Sequence, residues 1–246
     1  MSRFDETFIN PKPILGMLHL AGEGSAAKLA QAEEEARIMA GEGIDGLVVE
    51  NYFGDADDVE RVLERLCSLD LGTRIGINVL RDNARAFALA KRFPVSFIQI
   101  DSVAGHLPLE DDAPFAAGLA MHRESVPALL LGGVRFKYQP ILSGQPEEED
   151  VRIGSSRCDG LVVTSDATGQ PTDMGKVARF RTASGGSIPL LIGAGLTETN
   201  AAEQLAQADG AVVGSWFKHD HKDTGRVDAT HVARLMRAVR AIRRAA

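Results

Sequence analysis

The chain has 246 residues and a formal charge of −7, with 44% hydrophobic and 25% charged residues. That is ordinary globular composition, and no run of 18 apolar residues marks a membrane span. The acidic balance argues against nucleic acid as a partner, because Lys and Arg neutralising phosphates dominate that affinity. Met1 to Asn10 mixes charged and apolar residues without the apolar stretch of a secretory signal, so a cytoplasmic protein is expected. Cys67 and Cys158 are far apart with no Cys-x-x-Cys partner, which argues against a disulfide framework or a structural zinc. Both read as buried thiols.

Short apolar runs recur along the chain: Ile14 to Leu18, Ile44 to Val49, Ile75 to Leu80, Val95 to Ile100, Ala128 to Phe136, Leu161 to Thr164, Pro189 to Ile192 and Gly210 to Gly214. Continuous apolar runs of this length fit strands buried on both faces. Helical segments lie between them. Ala26 to Ala40 is rich in Ala, Glu and Leu, and Asp57 to Leu69 places Val59, Val62, Leu63 and Leu66 at helical spacing. Asn83 to Phe93, Ala113 to Glu124, Met174 to Ala183 and Glu198 to Ala206 continue the pattern. His231 to Arg244 closes it, with arginines crowding the turns where the helix dipole favours cations. Glu33 to Glu35, Glu147 to Asp150 and Arg234 to Arg244 read as solvated charged faces.

Strand alternating with helix implies right-handed crossovers and a parallel sheet. Eight evenly spaced strands imply an α/β fold, a single (β/α)8 TIM barrel with one domain over residues 1–246. An open doubly wound sheet is the alternative; no Gly-x-Gly-x-x-Gly follows the first run to support it. The fifth unit is the weakest. Gln139 to Arg157 holds prolines and glycines, and leaves room for one or two helical turns around Glu147 to Val151.

Active sites of such barrels lie at the C-terminal ends of the strands. That rule selects His19, Glu50, Asn51, Asn78, Arg81, Asp82, Asp101, Ser102, Arg135, Lys137 and Thr164 to Asp166. Glu50, Asp101 and Lys137 form the candidate catalytic set, with His19 as a further base or metal ligand. Lys137 is either a cationic anchor, a Schiff-base nucleophile, or a structural partner of Glu50 or Asp101. Gly193-Ala194-Gly195-Leu196-Thr197 and Gly214-Ser215 fall at the last two turns, where barrels often bind phosphate. Glycines admit an anion close to the backbone, and a helix beginning near Thr197, capped by it, would offer free N–H groups. His219 to Asp223 meets no metal-ligand spacing and reads as an exposed loop. Trp216-Phe217 is an adjacent aromatic pair near the mouth, and could close it over a ligand.

The blocks Gly16-Met17-Leu18-His19-Leu20, Asp45 to Asp55, Gly76 to Asp82, Val163-Thr164 with Thr168-Gly169, Ile192 to Asn200, and Asp209 to Ser215 with Lys218 resemble the BtpA/SgcQ family. Their order and spacing match along nearly the whole chain, and Glu50-Asn51-x-x-Gly54-Asp55 is the most specific block. The resemblance implies a ribulose-phosphate-binding type of barrel. It also implies matching site positions at His19, Glu50, Asn51, Asp55, Asn78 and Lys137, and a phosphate end at Gly193, Gly195, Thr197, Gly214, Ser215 and Lys218. The family takes its name from a cyanobacterial factor for photosystem I, and other members lie near sugar-uptake genes. Departures from the family pattern fall in the loop Ala21 to Ser25, where proline is usual, at Tyr138, where His is usual, and in the short fifth connection.

Two functions follow as expectations. One is an enzyme of isomerase, epimerase or lyase type, binding a phosphorylated sugar or nucleoside-like molecule. Glu50 is then the base, Lys137 or Asn78 the stabiliser of an enolate, and Asp101 a candidate ligand for a divalent cation such as Mg2+. The other is a non-catalytic assembly or stability factor of the photosystem I biogenesis type. A homo-oligomer is compatible with either.

Overall fold

In the computed structural model, which describes residues 2–245, strand alternates with helix through eight turns of the chain. The strands are β1 (Ile14–Leu18), β2 (Gly46–Glu50), β3 (Arg74–Asn78), β4 (Phe97–Ala104), β5 (Leu129–Val134), β6 (Gly160–Val163), β7 (Leu190–Ile192) and β8 (Gly210–Val213). All pair in parallel in chain order, and β8 closes on β1, giving a closed (β/α)8 TIM barrel. The helices are α1 (Arg3–Thr7) ahead of the barrel, then α2 (Gly24–Gly41), α3 (Ala56–Leu66), α4 (Asn83–Arg92), α5 (Leu109–Glu124), α6 (Glu147–Arg157), α7 (Met174–Ala183), α8 (Ala201–Gln207) and α9 (Ala229–Ala245). Two 3-10 turns, Ser215–Phe217 and His219–His221, lie between β8 and α9. Among the described residues no helix is long and apolar enough to cross a membrane.

The period of two along each strand divides the core in two. Leu15, Met17, Val48, Phe97, Leu129, Leu131, Val162, Leu191 and Val212 fill the barrel interior. Ile14, Leu18, Leu47, Val49, Ile77, Ile98, Leu130 and their like face the helices. Two inward glycines make room for the largest interior side chain. A Cβ on Gly76 would fall 2.2 Å from the Phe97 ring, and one on Gly46 3.2 Å from it. The lower end is plugged by α1, whose start is closed by a capping box between Ser2 and Asp5. Phe4 and Phe8 stack beneath the interior, the latter 5.6 Å from Phe97.

The lower rim carries a repeated device. Asp45, Asp159 and Asp209 each precede the glycine that opens β2, β6 or β8. Each carboxylate accepts the backbone N–H at the foot of the preceding strand: Ile14, Leu130 and Leu190, at 2.8, 2.8 and 2.9 Å. Each also meets an arginine: Arg243, Arg123 and Arg181, at 2.5, 2.8 and 2.6 Å. The N–H groups that a parallel strand leaves free at its start are thus paired, as buried donors require.

Several boundaries differ from the sequence reading. The fifth connection holds an 11-residue helix, three turns rather than one or two. Pro146 and four consecutive acidic residues favour its first turn, where the dipole is positive. Gly154, which reads as a breaker, is a packing glycine: a Cβ there would sit 2.4 Å from Val134. β5 ends at Val134, short of Phe136, because Arg135 takes φ 45° and pairs with buried Asp150 at 2.8 Å. β4 runs on to Ala104 through a register irregularity after Ile100. α8 starts at Ala201, later than Glu198, because residues 198–200 form a turn. Cys158 lies before β6 and is buried, which pushes its thiol up to about 12; Cys67 closes α3 and is only half-buried.

Candidate functional site

The inward register of each strand delivers one polar residue to the barrel mouth. Two positions beyond interior Met17 stands His19; beyond Val48, Glu50; beyond Gly76, Asn78; beyond Phe97, Gln99 and then Asp101. The irregularity in β4 carries Asp101 out of the ladder. Gly133 permits it, since a Cβ there would lie 2.1 Å from the Asp101 carbonyl oxygen. On the opposite side the same register yields Gly193 and Gly214. A cavity of about 720 Å³ opens between the two halves, within the range of small-molecule sites.

Glu50 and Asp101 are joined by one amide. Asn78 Nδ2 donates to Glu50 Oε1 at 2.9 Å and to Asp101 Oδ1 at 3.1 Å. His19 Nε2 lies 3.8 Å from Glu50 Oε2. Burial, with the Asp101 charge second, pushes the Glu50 carboxyl up to about 8. Burial also raises Asp101. Burial, aided by the Lys218 charge, pushes His19 down to about 3, so its ring is neutral near pH 7. Lys137 lines the cavity, and among the described residues no carboxylate lies within 4 Å of its Nζ. The structural ion pair with Glu50 or Asp101 that the sequence allows is therefore not formed. Burial lowers its pKa, with Glu50 acting against this.

The far wall is built of turns. Gly195 takes φ 70°, and a Cβ there would meet the Gln170 carbonyl oxygen at 2.2 Å. Asn200 ties this turn down. Its Nδ2 donates to the Gly195 carbonyl at 2.9 Å, and its Oδ1 accepts the Thr197 N–H at 2.8 Å. Thr197 Oγ1 accepts the Asn200 N–H at 3.2 Å, so Thr197 caps this turn rather than α8 itself. Among the described residues, the N–H groups of Gly195, Leu196, Ser215 and Trp216 have no acceptor within the protein. Gly214 lets the next turn pass close to the His19 ring, whose Cε1 a Cβ would approach to 3.2 Å.

The cavity thus brings together His19, Glu50, Asp101, Lys137, Gly193, Gly195, Thr197, Gly214 and Ser215, with Asn78 buried just beneath. Lys218, expected at the phosphate end, is not part of its lining. Its side chain is fully buried, Nζ has no hydrogen-bond partner, and Glu35 Oε2 is 4.0 Å away. Asn51 and Asp55 serve the scaffold: Asn51 accepts the Leu80 N–H at 2.7 Å, and Asp55 caps α3. Of the aromatic pair, Trp216 lines the cavity and stacks on His221 at 3.9 Å, whereas Phe217 is buried in the outer core. Arg81, selected at the end of the third strand, lines the cavity too, as do Gln99, Tyr52 and His221, which the sequence reading does not select. Gln99 was legible from the period of two beyond Phe97; the others come from loops, which carry no such signal.

Among the described residues no three His, Cys, Asp or Glu side chains converge as a metal site. Glu50 and Asp101 are two carboxylates with one oxygen each already accepting from Asn78. They form no all-protein cage, although Mg2+ is commonly held by one or two carboxylates plus substrate phosphates.

Comparison with known proteins gives the same architecture. A photosystem I biogenesis protein BtpA from Synechocystis is 28% identical, over 95% of this chain and 90% of its own. An uncharacterised protein of Thermococcus kodakarensis is 26% identical, over 94% and 97%. Among solved structures, the (S)-3-O-geranylgeranylglyceryl phosphate synthase of Thermoplasma acidophilum, in complex with its substrate sn-glycerol-1-phosphate, superposes with a TM-score of 0.62 at 13% identity, covering 98% of this chain and 99% of its own. The BtpA family model matches residues 10–241, and the chain belongs to the BtpA family.

Proposed function

We propose that this barrel is an enzyme that binds a phosphorylated carbonyl compound of sugar or nucleoside-like type and moves a proton on the carbon beside its carbonyl. Isomerisation, epimerisation and carbon–carbon cleavage all pass through that step. The observation that carries the reading is the division of the cavity. One wall holds two carboxylates sharing the Asn78 amide, and the other offers N–H groups of two glycine turns without partners in the protein. Oriented amides of this kind suit phosphate. The solved structure bound to sn-glycerol-1-phosphate has the same fold, which supports the choice of ligand class.

The roles follow from the environments, since two carboxyls pushed apart divide acid from base. Glu50 is fully buried and retains its proton up to about pH 8, so it is the acid at rest. Half-buried Asp101 is then the base, the reverse of casting Glu50 as base. Lys137 faces the substrate carbonyl. Neutral His19, beside Glu50, relays or orients its proton.

Thermal melts against phosphorylated sugars and nucleotides, with and without Mg2+, test the ligand class. A ligand at about 100 times its Kd adds roughly 2.7 kcal/mol. Compounds that shift the melt are then incubated in D2O and followed by NMR for exchange beside the carbonyl. Asp101→Asn and Glu50→Gln are expected to keep the melt shift and lose the exchange. Exchange that survives both substitutions sinks the roles, and a panel without any shift sinks the ligand class.

A second reading is an assembly factor. The name of the Synechocystis relative favours it, as do exposed Tyr138, Ile141 and Leu142 in the segment after β5. It becomes the better reading if the panel is silent.

A further inference from the structure

Three lysines stand around the barrel mouth in surroundings that disfavour their charge: Lys137, Lys176 and Lys218. They differ in what their Nζ atoms meet. Lys176 donates to the carbonyls of Arg135 at 3.2 Å and Thr164 at 2.9 Å. Lys218 has no exposed surface and contributes nothing to the cavity lining. Lys137 lines the cavity, and among the described residues no carboxylate lies within 4 Å of Nζ. An ammonium desolvated by burial, without a close counter-ion and with only the Phe136 ring 5.9 Å away to favour its charge, gives up its proton more readily. Its main opposing influence is the Glu50 charge, and that charge is absent while Glu50 is protonated.

We propose that Lys137 is a covalent nucleophile, and that its Nζ forms a Schiff base with the carbonyl carbon of a bound aldehyde or ketone. The proposal rests on the carbonyl-substrate reading above and makes it specific. The Nζ lone pair forms the C–N bond, and the carbonyl π electrons pass to oxygen. That oxygen collects two protons and leaves as water. In sum, one ammonium and one carbonyl give one protonated imine and one water, with no change of oxidation state. Carbinolamine dehydration needs an acid at the departing oxygen, and protonated Glu50, which lines the same cavity, supplies it. The iminium then draws electrons from the neighbouring C–H or C–C bond, which is the bond the proposed reaction must weaken. Hydrolysis by the reverse path frees the lysine.

The test is reductive trapping on the full-length chain at pH 7, with sodium cyanoborohydride supplying hydride to any imine formed. Two probes are used, glycolaldehyde and D-glyceraldehyde 3-phosphate, and peptide mapping locates the label. Each unit by which the Lys137 pKa lies below that of a surface lysine raises its free-amine share about tenfold. Label at Lys137 is therefore expected to exceed that at any surface lysine. Lys137→Arg, which retains the charge, is expected to abolish that label, and Lys176→Met to leave it in place. Mapping on the unsubstituted chain stands by itself should either variant fold poorly. Label spread evenly over surface lysines, or concentrated on Lys176 or Lys218, overturns the proposal. The phosphate reading fails separately. If glycolaldehyde and glyceraldehyde 3-phosphate label Lys137 at equal rates, and inorganic phosphate does not slow the latter, the nucleophile stands and the phosphate grip falls. If the phosphorylated probe shifts the melt without labelling Lys137, the grip stands and the nucleophile falls.

Discussion

The two ends of this barrel treat buried carboxylates in opposite ways. At the foot, Asp45, Asp159 and Asp209 each hold a backbone N–H and an arginine. At the mouth, Glu50 and Asp101 share the neutral Asn78 amide, and among the described residues no Lys or Arg lies within 4 Å of either; the His19 ring, 3.8 Å from Glu50, is neutral near pH 7. The foot is built so that each charge has its counterpart. The mouth retains groups whose partners are missing, among them the buried Gln99 Oε1 and Trp216 Nε1. Buried polar atoms without partners are destabilising, and these two line the cavity that a substrate would enter. Buried acidity stabilises or reacts according to what surrounds it.

The largest effect is expected at the foot. Asp45→Ala removes the acceptor of the Ile14 N–H and the counter-ion of Arg243, whose side chain is only 11% exposed and retains the Lys12 carbonyl at 3.0 Å. Removing one partner of a buried pair costs about 3–5 kcal/mol. Urea unfolding is expected to show a lower midpoint with an unchanged slope, and ligand binding at the far end should persist. A loss under about 1 kcal/mol would mean that these aspartates are not structural staples.

At the wall of glycine turns, Gly195→Ala forces a side chain into the left-handed region and against the Gln170 carbonyl. Strain of this kind costs about 1–3 kcal/mol. The displaced turn should weaken affinity for the best phosphorylated compound by about tenfold or more, measured by calorimetry. Unchanged affinity would remove this turn from the site.

The mouth predicts an unusual dependence on pH. Glu50 ionises at about 8 in the folded chain against 4.5 unfolded, so its contribution is full below 4.5 and is lost as pH rises through 8. His19 ionises at about 3 folded against 6.5 unfolded, so it destabilises as pH falls below 6.5. The two oppose one another between 4.5 and 6.5. Between 6.5 and 8 Glu50 acts without that opposition, and the loss should be roughly 1–2 kcal/mol. Glu50→Gln, compared with the unsubstituted chain in urea at pH 6.5, 7.25 and 8, is expected to remove this decline. Identical slopes in the two proteins would show that Glu50 ionises normally.

How much of this was legible beforehand follows the same division. Apolar runs and helical spacing suffice for eight strands and their order, because burial on both faces leaves a continuous signal. Strand-end chemistry was legible wherever the period of two continues past an interior residue, as from Met17 to His19 and Val48 to Glu50. It failed where the backbone leaves that period. Arg135, expected as a site residue, turns away on a positive φ to pair with Asp150. The α6 helix was hidden because Gly154 signals a break while its purpose is contact with Val134. Lys218 shows the limit most clearly, since its position beside the glycine turn says nothing of a side chain that runs behind the wall.

That lysine gives the smallest and most discriminating effect. Its ammonium is fully buried without a hydrogen bond, while Glu35, its nearest carboxylate, already accepts from Gln31 at 2.9 Å and from the Val227 N–H at 3.2 Å. Lys218→Met retains the length of the side chain and discards a charge that burial disfavours. Stability should therefore change by no more than about 1 kcal/mol in either direction, since apolar replacement of buried ions is often neutral. The informative quantity is His19. Lys218 is the largest charge effect holding its pKa down, second only to burial. NMR titration of the His19 ring is expected to show the pKa moving up toward the ordinary 6.5. Should His19 titrate unchanged, Lys218 has no electrostatic hold on the mouth, and burial alone keeps that imidazole neutral.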